Sequence, residues 1–307
     1  MGRERLEPDN LAGALIFGRC CLLTAAALAL SLSGGALAWG AGQLLLAIAL
    51  LQWFVLLHEA GHLTLFRRRA LNLVAGHVAG FLALIPFESW RRVHGLHHLW
   101  TGWQDLDPTT APLVPRPLGR AERAAVDWAW RLWLPLFSIL YRLNNYWHLQ
   151  RLRRLLAARR AIALNAGVLI LAYCMLILWL GPLELLRAVG VGLFLSLVMQ
   201  DPLLLSQHTH LPQKLSGGRA VAPLKPAEQE IYTRSLRFPR WFAQTVLINF
   251  DAHELHHGHV AVPGYRLRRL PYRQQNEVHW WTWLRAAKRL RGSVFLFSNR
   301  DRTGFSL

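Results

Sequence analysis

Four long apolar stretches stand out when hydrophobic and polar positions are followed along the chain. They cover residues 11–32, 36–57, 161–180 and 183–205. Each is long enough to cross the roughly 30 Å hydrocarbon layer of a bilayer as a helix. Short uncharged turns at residues 33–35 and 181–182 join the stretches in two pairs. The pattern predicts an all-α integral membrane fold with four transmembrane helices arranged as two hairpins.

The distribution of positive charge predicts which side of the membrane the rest of the chain occupies. The 307 residues carry a formal net charge of +18, and only Arg19 and Arg187 lie inside the apolar stretches. Loops rich in Lys and Arg stay in the cytosol. We therefore expect one multi-pass domain over residues 1–307 with both termini cytosolic and with residues 58–160 and 206–307 in a cytosolic helical cap. This placement explains the basic excess without nucleic-acid binding.

A shorter apolar segment at residues 71–87 follows the second stretch. It contains Asn72, Gly76 and His77 and is short for a membrane span. A fifth crossing would also move the histidines that follow it to the opposite face of the membrane. We expect this segment to form a half-buried or interfacial helix.

Histidine is the residue type whose positions carry the most information. Ten of the 14 histidines fall into four clusters: His58 with His62, His94 with His97 and His98, His208 with His210, and His253 with His256 and His257. Spacings of three and four residues place side chains on one face of a helix. The H-x-x-x-H cluster and the two H-x-x-H-H clusters lie at predicted cytosolic membrane borders, and two hairpins would return the clusters to one side. The pattern indicates a shared metal site.

The few acidic residues concentrate around the same clusters. Six of the 17 Asp and Glu residues lie within or near them: Glu59, Asp105, Asp107, Asp201, Asp251 and Glu254. A metal-ligating histidine needs an acceptor for its other ring N–H, and carboxylates often supply it. Carboxylates also offset the charge of the metal ions. We expect Glu59, Asp105, Asp107 and Asp251 to act in this way.

The order and spacing of the clusters resemble the three histidine boxes of membrane fatty acid desaturases. His-Glu-Ala-Gly-His at 58–62 resembles the first box, His-Gly-Leu-His-His at 94–98 the second, and His-Glu-Leu-His-His at 253–257 the third. Gln-His-Thr-His-Leu-Pro at 207–212 is similar to the stretch that follows the last span in acyl-lipid desaturases. The resemblance extends over residues 36–271.

The resemblance implies that the box histidines and one further histidine after the last span hold two iron ions. Carried over by position, the ligands are His58, His62, His94, His97, His98, His208, His253, His256 and His257. His210 is a weaker candidate than His208. Some family members have an Asn four residues before the extra histidine, but this chain has Leu204 there, and Asn249 is the candidate replacement.

The resemblance further implies that the protein introduces a double bond into a fatty acyl chain with O2 as co-substrate. Imidazole ligands do not by themselves select iron, so zinc is expected in some purified overexpressed protein. The chain has no haem-binding His-Pro-Gly-Gly segment, no C-x-x-C and no dinucleotide-binding loop. A separate electron donor such as a ferredoxin, a rubredoxin or a b-type cytochrome is implied. The substrate would be a lipid or an acyl thioester in contact with membrane lipids.

Three other functions fit parts of the sequence. A related hydroxylase, ketolase or acetylenase would use the same di-iron centre on a lipid. The first cluster also matches the H-E-x-x-H motif of zinc metalloproteases, with Glu59 as general base. That function leaves seven clustered histidines unused, and the chain lacks the motif for a third zinc ligand on a later span. A metal transporter would have its ligands at the middle of the spans, whereas these histidines lie at their ends.

Overall fold

The computed structural model describes residues 6–155, 157–271 and 274–303. Arg3 and Arg5, which belong to the predicted cytosolic N-terminal segment, lie outside the described residues. Within the described part, four helices are long and apolar enough to cross a membrane: Asn10–Leu32, Ala36–Gly61, Arg159–Leu180 and Pro182–His208. The four predicted spans therefore form helices. Their arrangement as two hairpins under a cytosolic cap stays a prediction.

The described chain is mostly helical. The helices are α1 (Asn10–Leu32), α2 (Ala36–Gly61), α3 (Arg69–Leu82), α4 (Phe87–Trp100), α5 (Arg120–Arg131), α6 (Leu136–Arg142), α7 (Leu149–Leu155), α8 (Arg159–Leu180), α9 (Pro182–Leu185), α10 (Val191–His208), α11 (Arg240–Thr245), α12 (His253–Gly258), α13 (Gly264–Leu267), α14 (Trp280–Arg289), α15 (Gly292–Phe297) and α16 (Arg300–Thr303). Short 3-10 turns cover Ala111–Leu113, Pro226–Glu228 and Glu230–Tyr232, and π-helical turns cover Leu143–Trp147 and Leu186–Gly190.

Two short strands make the expectation of an all-α fold wrong in one detail. Strand β1 (Ser235–Arg237) pairs in parallel with β2 (Glu277–His279), with Leu236 opposite Val278. Three-residue strands are too short to produce a readable alternation of polar and apolar positions. The described part of the chain is therefore mostly helical, with one two-stranded sheet.

The chain divides into two compact units, which are described separately. The first unit comprises Met1–Arg92 and Arg142–Met199, and the second comprises Val93–Tyr141 and Gln200–Leu307. The predicted spans α1, α2 and α8 lie in the first unit. Most of the clustered histidines lie in the second. The prediction of a single domain over the whole chain stays a prediction.

In the first unit, buried polar contacts join α1 to α2. The Trp53 indole N–H donates to Thr24 Oγ1 at 2.8 Å, and Gln43 Nε2 donates to Ser31 Oγ at 2.8 Å. Gly42 allows the two backbones to approach closely, because a Cβ there would lie 2.5 Å from Ser31 N. Hydrogen bonds and small residues at the contact are typical of helix pairs in membranes, where apolar side chains gain little by facing each other.

The fourth predicted span begins with an irregular turn. Gly181, with φ of +80°, ends α8, and the chain continues directly into α9. The π-helical turn that follows leaves carbonyls available to α2. Trp39 Nε1 donates to Arg187 O at 2.9 Å, and Gln43 Nε2 donates to Ala188 O at 2.8 Å. The backbone groups released by the irregular turn are therefore satisfied within the protein, as a membrane environment requires.

The segment expected to form an interfacial helix is helical over α3. Helices α3 and α4 meet at an angle of 102° across a short break, and together they meet the same length and composition criteria as the four spans. The pair therefore also has the form of a broken span or a re-entrant segment. Its interfacial position stays a prediction.

The second unit is built around an aromatic core. Trp130, Trp283 and Phe295 pack together with Leu205 and Leu236. The Trp130 and Phe295 rings stack with their centroids 4.8 Å apart. This core joins α5, α14 and α15 to β1 and to the last turn of α10. It thereby fixes the end of the helix that carries His208.

Candidate metal centre

Four imidazoles meet in the second unit, three of them buried and that of His208 half-buried. His97 comes from α4, His208 from the last turn of α10, and His253 and His257 from α12. One ring nitrogen from each lies within 4.8 Å of the other three. Because His253 and His257 are four residues apart, they lie on the same face of α12.

The nitrogens in this group have the spacing of ligands on one ion. His208 Nε2 lies 2.7 Å from His253 Nε2, and His257 Nε2 lies 3.0 Å from His253 Nε2. Two nitrogens bound at about 2.1 Å to one ion, at right angles, would be about 3.0 Å apart. The separations therefore match the size of a first-row metal ion.

Three more imidazoles of the second unit adjoin this group. His94 and His98, four residues apart on α4, place their Nε2 atoms 3.0 Å apart. His256 Nε2 lies 3.1 Å from His98 Nε2. The His98 and His257 rings are 4.3 Å apart between centroids, so the two sets of histidines are neighbours.

The first unit carries two more of the clustered histidines. His58 and His62 lie at the end of α2, with ring centroids 4.7 Å apart. Trp90 packs edge-on against both rings, at 5.7 Å from His58 and 6.3 Å from His62. Gly61 makes this packing possible, because a Cβ there would lie 2.1 Å from the Trp90 ring.

Hydrogen bonds to Nδ1 fix which nitrogen of three rings carries the proton. His97 Nδ1 lies 2.7 Å from Asp107 Oδ2, and His208 Nδ1 lies 3.1 Å from the carbonyl of Tyr232. His257 Nδ1 lies 2.9 Å from Gln229 Oε1. Since these oxygens accept, each Nδ1 donates, and each Nε2 has a free lone pair.

This protonation pattern suits a cation at the centre of the group. The lone pairs of His208 Nε2 and His257 Nε2 both face His253 Nε2. A single proton on His253 could satisfy only one of them. A metal ion bound to all of the rings satisfies every lone pair at once, and imidazole is a ligand of iron, zinc, copper and nickel. The residues therefore fit a metal ion.

Burial favours the neutral form of the ligand candidate His257. The pKa of His257 lies well below the ordinary histidine value, first because the ring is buried and then because the His98 and His253 imidazoles adjoin it. Burial alone would raise the pKa of Asp107, but the His97 ring and the Thr109 N–H lower it overall. A neutral imidazole beside a charged carboxylate is the arrangement that favours metal binding.

Two of the acidic candidates contact box histidines. Asp107 bonds to His97, and Thr109 holds that carboxylate by donating from its backbone N–H and its hydroxyl to Oδ1, each at 2.8 Å. Glu59 Oε1 lies 3.4 Å from His58 Nδ1, while its Oε2 accepts from the Thr64 hydroxyl at 3.0 Å.

The other three candidates, Asp105, Asp251 and Asn249, form hydrogen bonds or ion pairs with other parts of the chain. The Asp105 carboxylate accepts from the N–H and hydroxyl of Ser216 and from Gly217 N–H, so it stabilises that loop. Asp251 Oδ2 forms an ion pair of 2.7 Å with Arg268. Asn249 Nδ2 donates to Gly264 O at 2.8 Å. None of these contacts involves a histidine, and the roles expected for the three side chains stay predictions.

Two further acidic residues lie close to the histidine clusters in the sequence but act elsewhere. Asp201 accepts the backbone N–H of Ser138 at 2.7 Å. Glu254 accepts the backbone N–H groups of Gln275 and Asn276, and burial raises its pKa to about 7 in spite of these bonds. Both carboxyl groups therefore stabilise the fold around the site.

His210, the weaker ligand candidate, lies outside the histidine groups. Its Nδ1 is 3.2 Å from Ser298 O and its Nε2 is 2.7 Å from Thr303 Oγ1. Both ring nitrogens thus bond to the C-terminal segment. The residue that sequence reasoning missed is Gln229, which lies in a loop without any motif and contacts His257 directly.

The chain belongs to the fatty acid desaturase family. The sequence profile described as "Fatty acid desaturase" matches residues 34–285, which is most of the chain. All nine proposed ligands lie inside this region. The members of this family are membrane proteins, in agreement with the four long apolar helices.

The chain is similar to proteins that are named as desaturases. The chain is similar to an sn-1 oleoyl-lipid 12-desaturase of Synechocystis sp., with 25% identity over 227 residues, 70% of this chain and 62% of that protein. It is also similar to a Delta(12) fatty acid desaturase of Mortierella isabellina, with 34% identity over 95 residues, 30% of this chain and 24% of the relative. The chain thus spans less than two thirds of the length of these relatives.

Proposed function

We propose that this protein is a membrane di-iron oxygenase that introduces a double bond into a fatty acyl chain. The observation that carries the proposal is the pair of neighbouring imidazole sets in a chain of the fatty acid desaturase family. Iron, when bound, supplies the redox chemistry with O2 that an unactivated C–H bond requires. A zinc ion offers only Lewis acidity and a bound hydroxide.

The proposed ligands divide between two ions. His97, His208, His253 and His257 hold one ion. His94, His98 and His256 hold the other. The remaining proposed ligands are His58 and His62. The assignment of the last two rests on their match to the first histidine box. In this arrangement Asp107, Gln229 and the Tyr232 carbonyl keep Nδ1 of three rings protonated, so that Nε2 of each ring faces the metal.

The proposed substrate is an acyl chain of a membrane lipid. The names of two relatives, oleoyl-lipid 12-desaturase and Delta(12) fatty acid desaturase, support an acyl substrate. Two hydrogens leave neighbouring carbons, and O2 is reduced to two waters with two electrons and two protons from outside the substrate. A separate carrier, such as a ferredoxin, a rubredoxin or a b-type cytochrome, supplies the electrons.

The basic surface supports a cytosolic position for the site. The proposed ligands lie in residues 58–160 and 206–307, and both regions are rich in arginine. Such regions remain in the cytosol. Electron carriers are commonly acidic, and a positive surface accelerates their encounter with the protein. We therefore propose that the metal centre receives electrons from the cytosolic side.

Lipid profiling of a membrane host tests this function. Cells that express the protein should accumulate unsaturated acyl chains, whereas cells that express His97→Ala at the same level should not. Gas chromatography with mass spectrometry identifies the products. Hydroxylated, oxidised or acetylenic acyl chains would instead identify the related di-iron oxygenases. No altered lipid in cells that contain the iron-loaded protein would refute the proposed function.

A further inference from the structure

A single buried amide joins the two sets of histidines in the second unit. Gln229 is 3% exposed and follows the short helical turn Pro226–Glu228. Its Nε2 donates to the backbone carbonyl of His98 at 2.8 Å and to that of Leu224 at 3.3 Å. Its Oε1 lies 2.9 Å from His257 Nδ1.

The surroundings determine which end of this amide is oxygen. Orientation of a glutamine amide is normally ambiguous and is assigned from its hydrogen bonds. Here the carbonyls of His98 and Leu224 accept only, so the end beside them must be the NH2 group. The other end is the oxygen, and His257 Nδ1 must donate to it. Gln229 thereby fixes the tautomer of His257.

The same amide also holds the helix that carries the second box. The last carbonyls of a helix lack partners inside the helix. Near the end of α4, the carbonyl of His98 accepts from Gln229. The Gln229 side chain is therefore bonded to the backbone of one histidine set and to a ring of the other set. At this point the His98 and His257 rings are 4.3 Å apart.

We propose that Gln229 is a positioning residue of the metal centre, which orients His257 so that its Nε2 faces the ion held with His97, His208 and His253. This inference rests on the proposed metal centre. Without the acceptor Oε1, the His257 ring has no fixed orientation and one buried N–H loses its partner. The loss of an outer hydrogen-bond partner of a ligand histidine lowers metal affinity by about 10- to 100-fold.

Three variants separate orientation of His257 from a general effect on folding. Gln229→Leu removes both the acceptor and the donor at nearly constant volume. Gln229→Glu retains an acceptor for His257 Nδ1, and its second oxygen, when protonated, can still donate to His98 O. Gln43→Leu is the matched control, because Gln43 is also a buried amide with several bonds, to Ser31 and Ala188 in the first unit.

The measurement is bound Fe2+ per chain in a metal buffer without O2, substrate or electron donor. We expect Gln229→Leu to bind one iron about 10- to 100-fold more weakly and to lose the Mössbauer signal of that ion. Gln229→Glu and Gln43→Leu should retain both ions at wild-type affinity.

Unchanged iron binding in Gln229→Leu would overturn the inference. The inference would equally fail if Gln229→Glu or Gln43→Leu lost iron as strongly as Gln229→Leu, because the effect would then not depend on the acceptor for His257. These results are independent of product formation. A wild-type protein that binds two irons but alters no lipid would refute the proposed function and leave the inference intact.

Discussion

His97→Ala and His256→Ala are each expected to reduce product formation below detection. His97 belongs to the group with His208, His253 and His257, and its removal opens a coordination position. His256 contacts His98, and its loss opens the other set of ligands. Each variant should therefore also bind less iron than the wild-type protein. Gas chromatography of acyl chains and bound iron per chain provide the two measurements.

Other variants give this prediction its controls. Glu59→Gln and Asp107→Asn should lose about 10- to 100-fold in metal affinity or activity, because each carboxylate contacts a box histidine without being a proposed ligand. The exposed His148 and His279 should tolerate alanine with near wild-type activity. Full activity in His97→Ala or His256→Ala, with none in Glu59→Gln, would instead support a zinc hydrolase with Glu59 as its general base.

Gly61→Ala is expected to reduce activity by about 100-fold although it changes no proposed ligand. A Cβ at this position would lie 2.1 Å from Trp90 Cζ3, and Trp90 packs edge-on against His58 and His62. Overpacking of a buried site costs about 1–3 kcal/mol. A displacement of about 1 Å in a catalytic group costs about 100-fold in rate. Activity per folded chain in membranes measures the effect.

Gly95→Ala is the matched control for this substitution. Gly95 also lies inside a histidine box, but nothing lies within 4 Å of a Cβ built there. Alanine favours a helix over glycine by about 0.8–1.0 kcal/mol, so this variant should be at least as stable as the wild type. Trp90→Phe combined with Gly61→Ala should recover part of the activity. Equal activities of Gly61→Ala and Gly95→Ala would contradict the role assigned to Trp90.

Hydrophobicity predicted the spans because their apolar runs are continuous. It placed the end of the second span at residue 57, whereas α2 continues to Gly61. The extra turn carries His58 and Glu59, whose polarity hides the continuation of the helix from a hydropathy criterion. The same effect hides the last turn of α10, which ends at His208. In both cases the helix extends beyond its apolar part in order to carry proposed ligands.

The spacing of histidines predicted which rings come together but not what orients them. Residues four apart on one helix, such as His253 and His257, share a face wherever that helix lies. The partner of His97 is the nearby Asp107, whereas the partner of His257 comes from a distant loop. Gln229 lies 28 residues from His257, and no local pattern distinguishes it from any other polar loop residue.

Proximity in sequence to a histidine box was a poor guide to the role of a carboxylate. Asp107 contacts His97, whereas Asp105, two residues away, accepts hydrogen bonds from Ser216 and Gly217. Two neighbouring histidines also differ in their contacts: His208 lies in a histidine group, whereas His210 does not. It has a φ of +60° just after the end of α10, and its ring bonds to the C-terminal segment. The direction in which a side chain points is set by the local backbone geometry. Outside regular helices, the spacing of residues in the sequence does not define that geometry.

The number of iron ions in the fully active protein tests the central claim most directly. The protein should be purified without zinc, loaded anaerobically with 57Fe and assayed for lipid product in the same preparation. Metal analysis and Mössbauer spectroscopy then give the stoichiometry and the environment of each ion. We predict two irons per chain, both with histidine nitrogen ligands. A fully active preparation that contains one metal ion per chain would contradict the account.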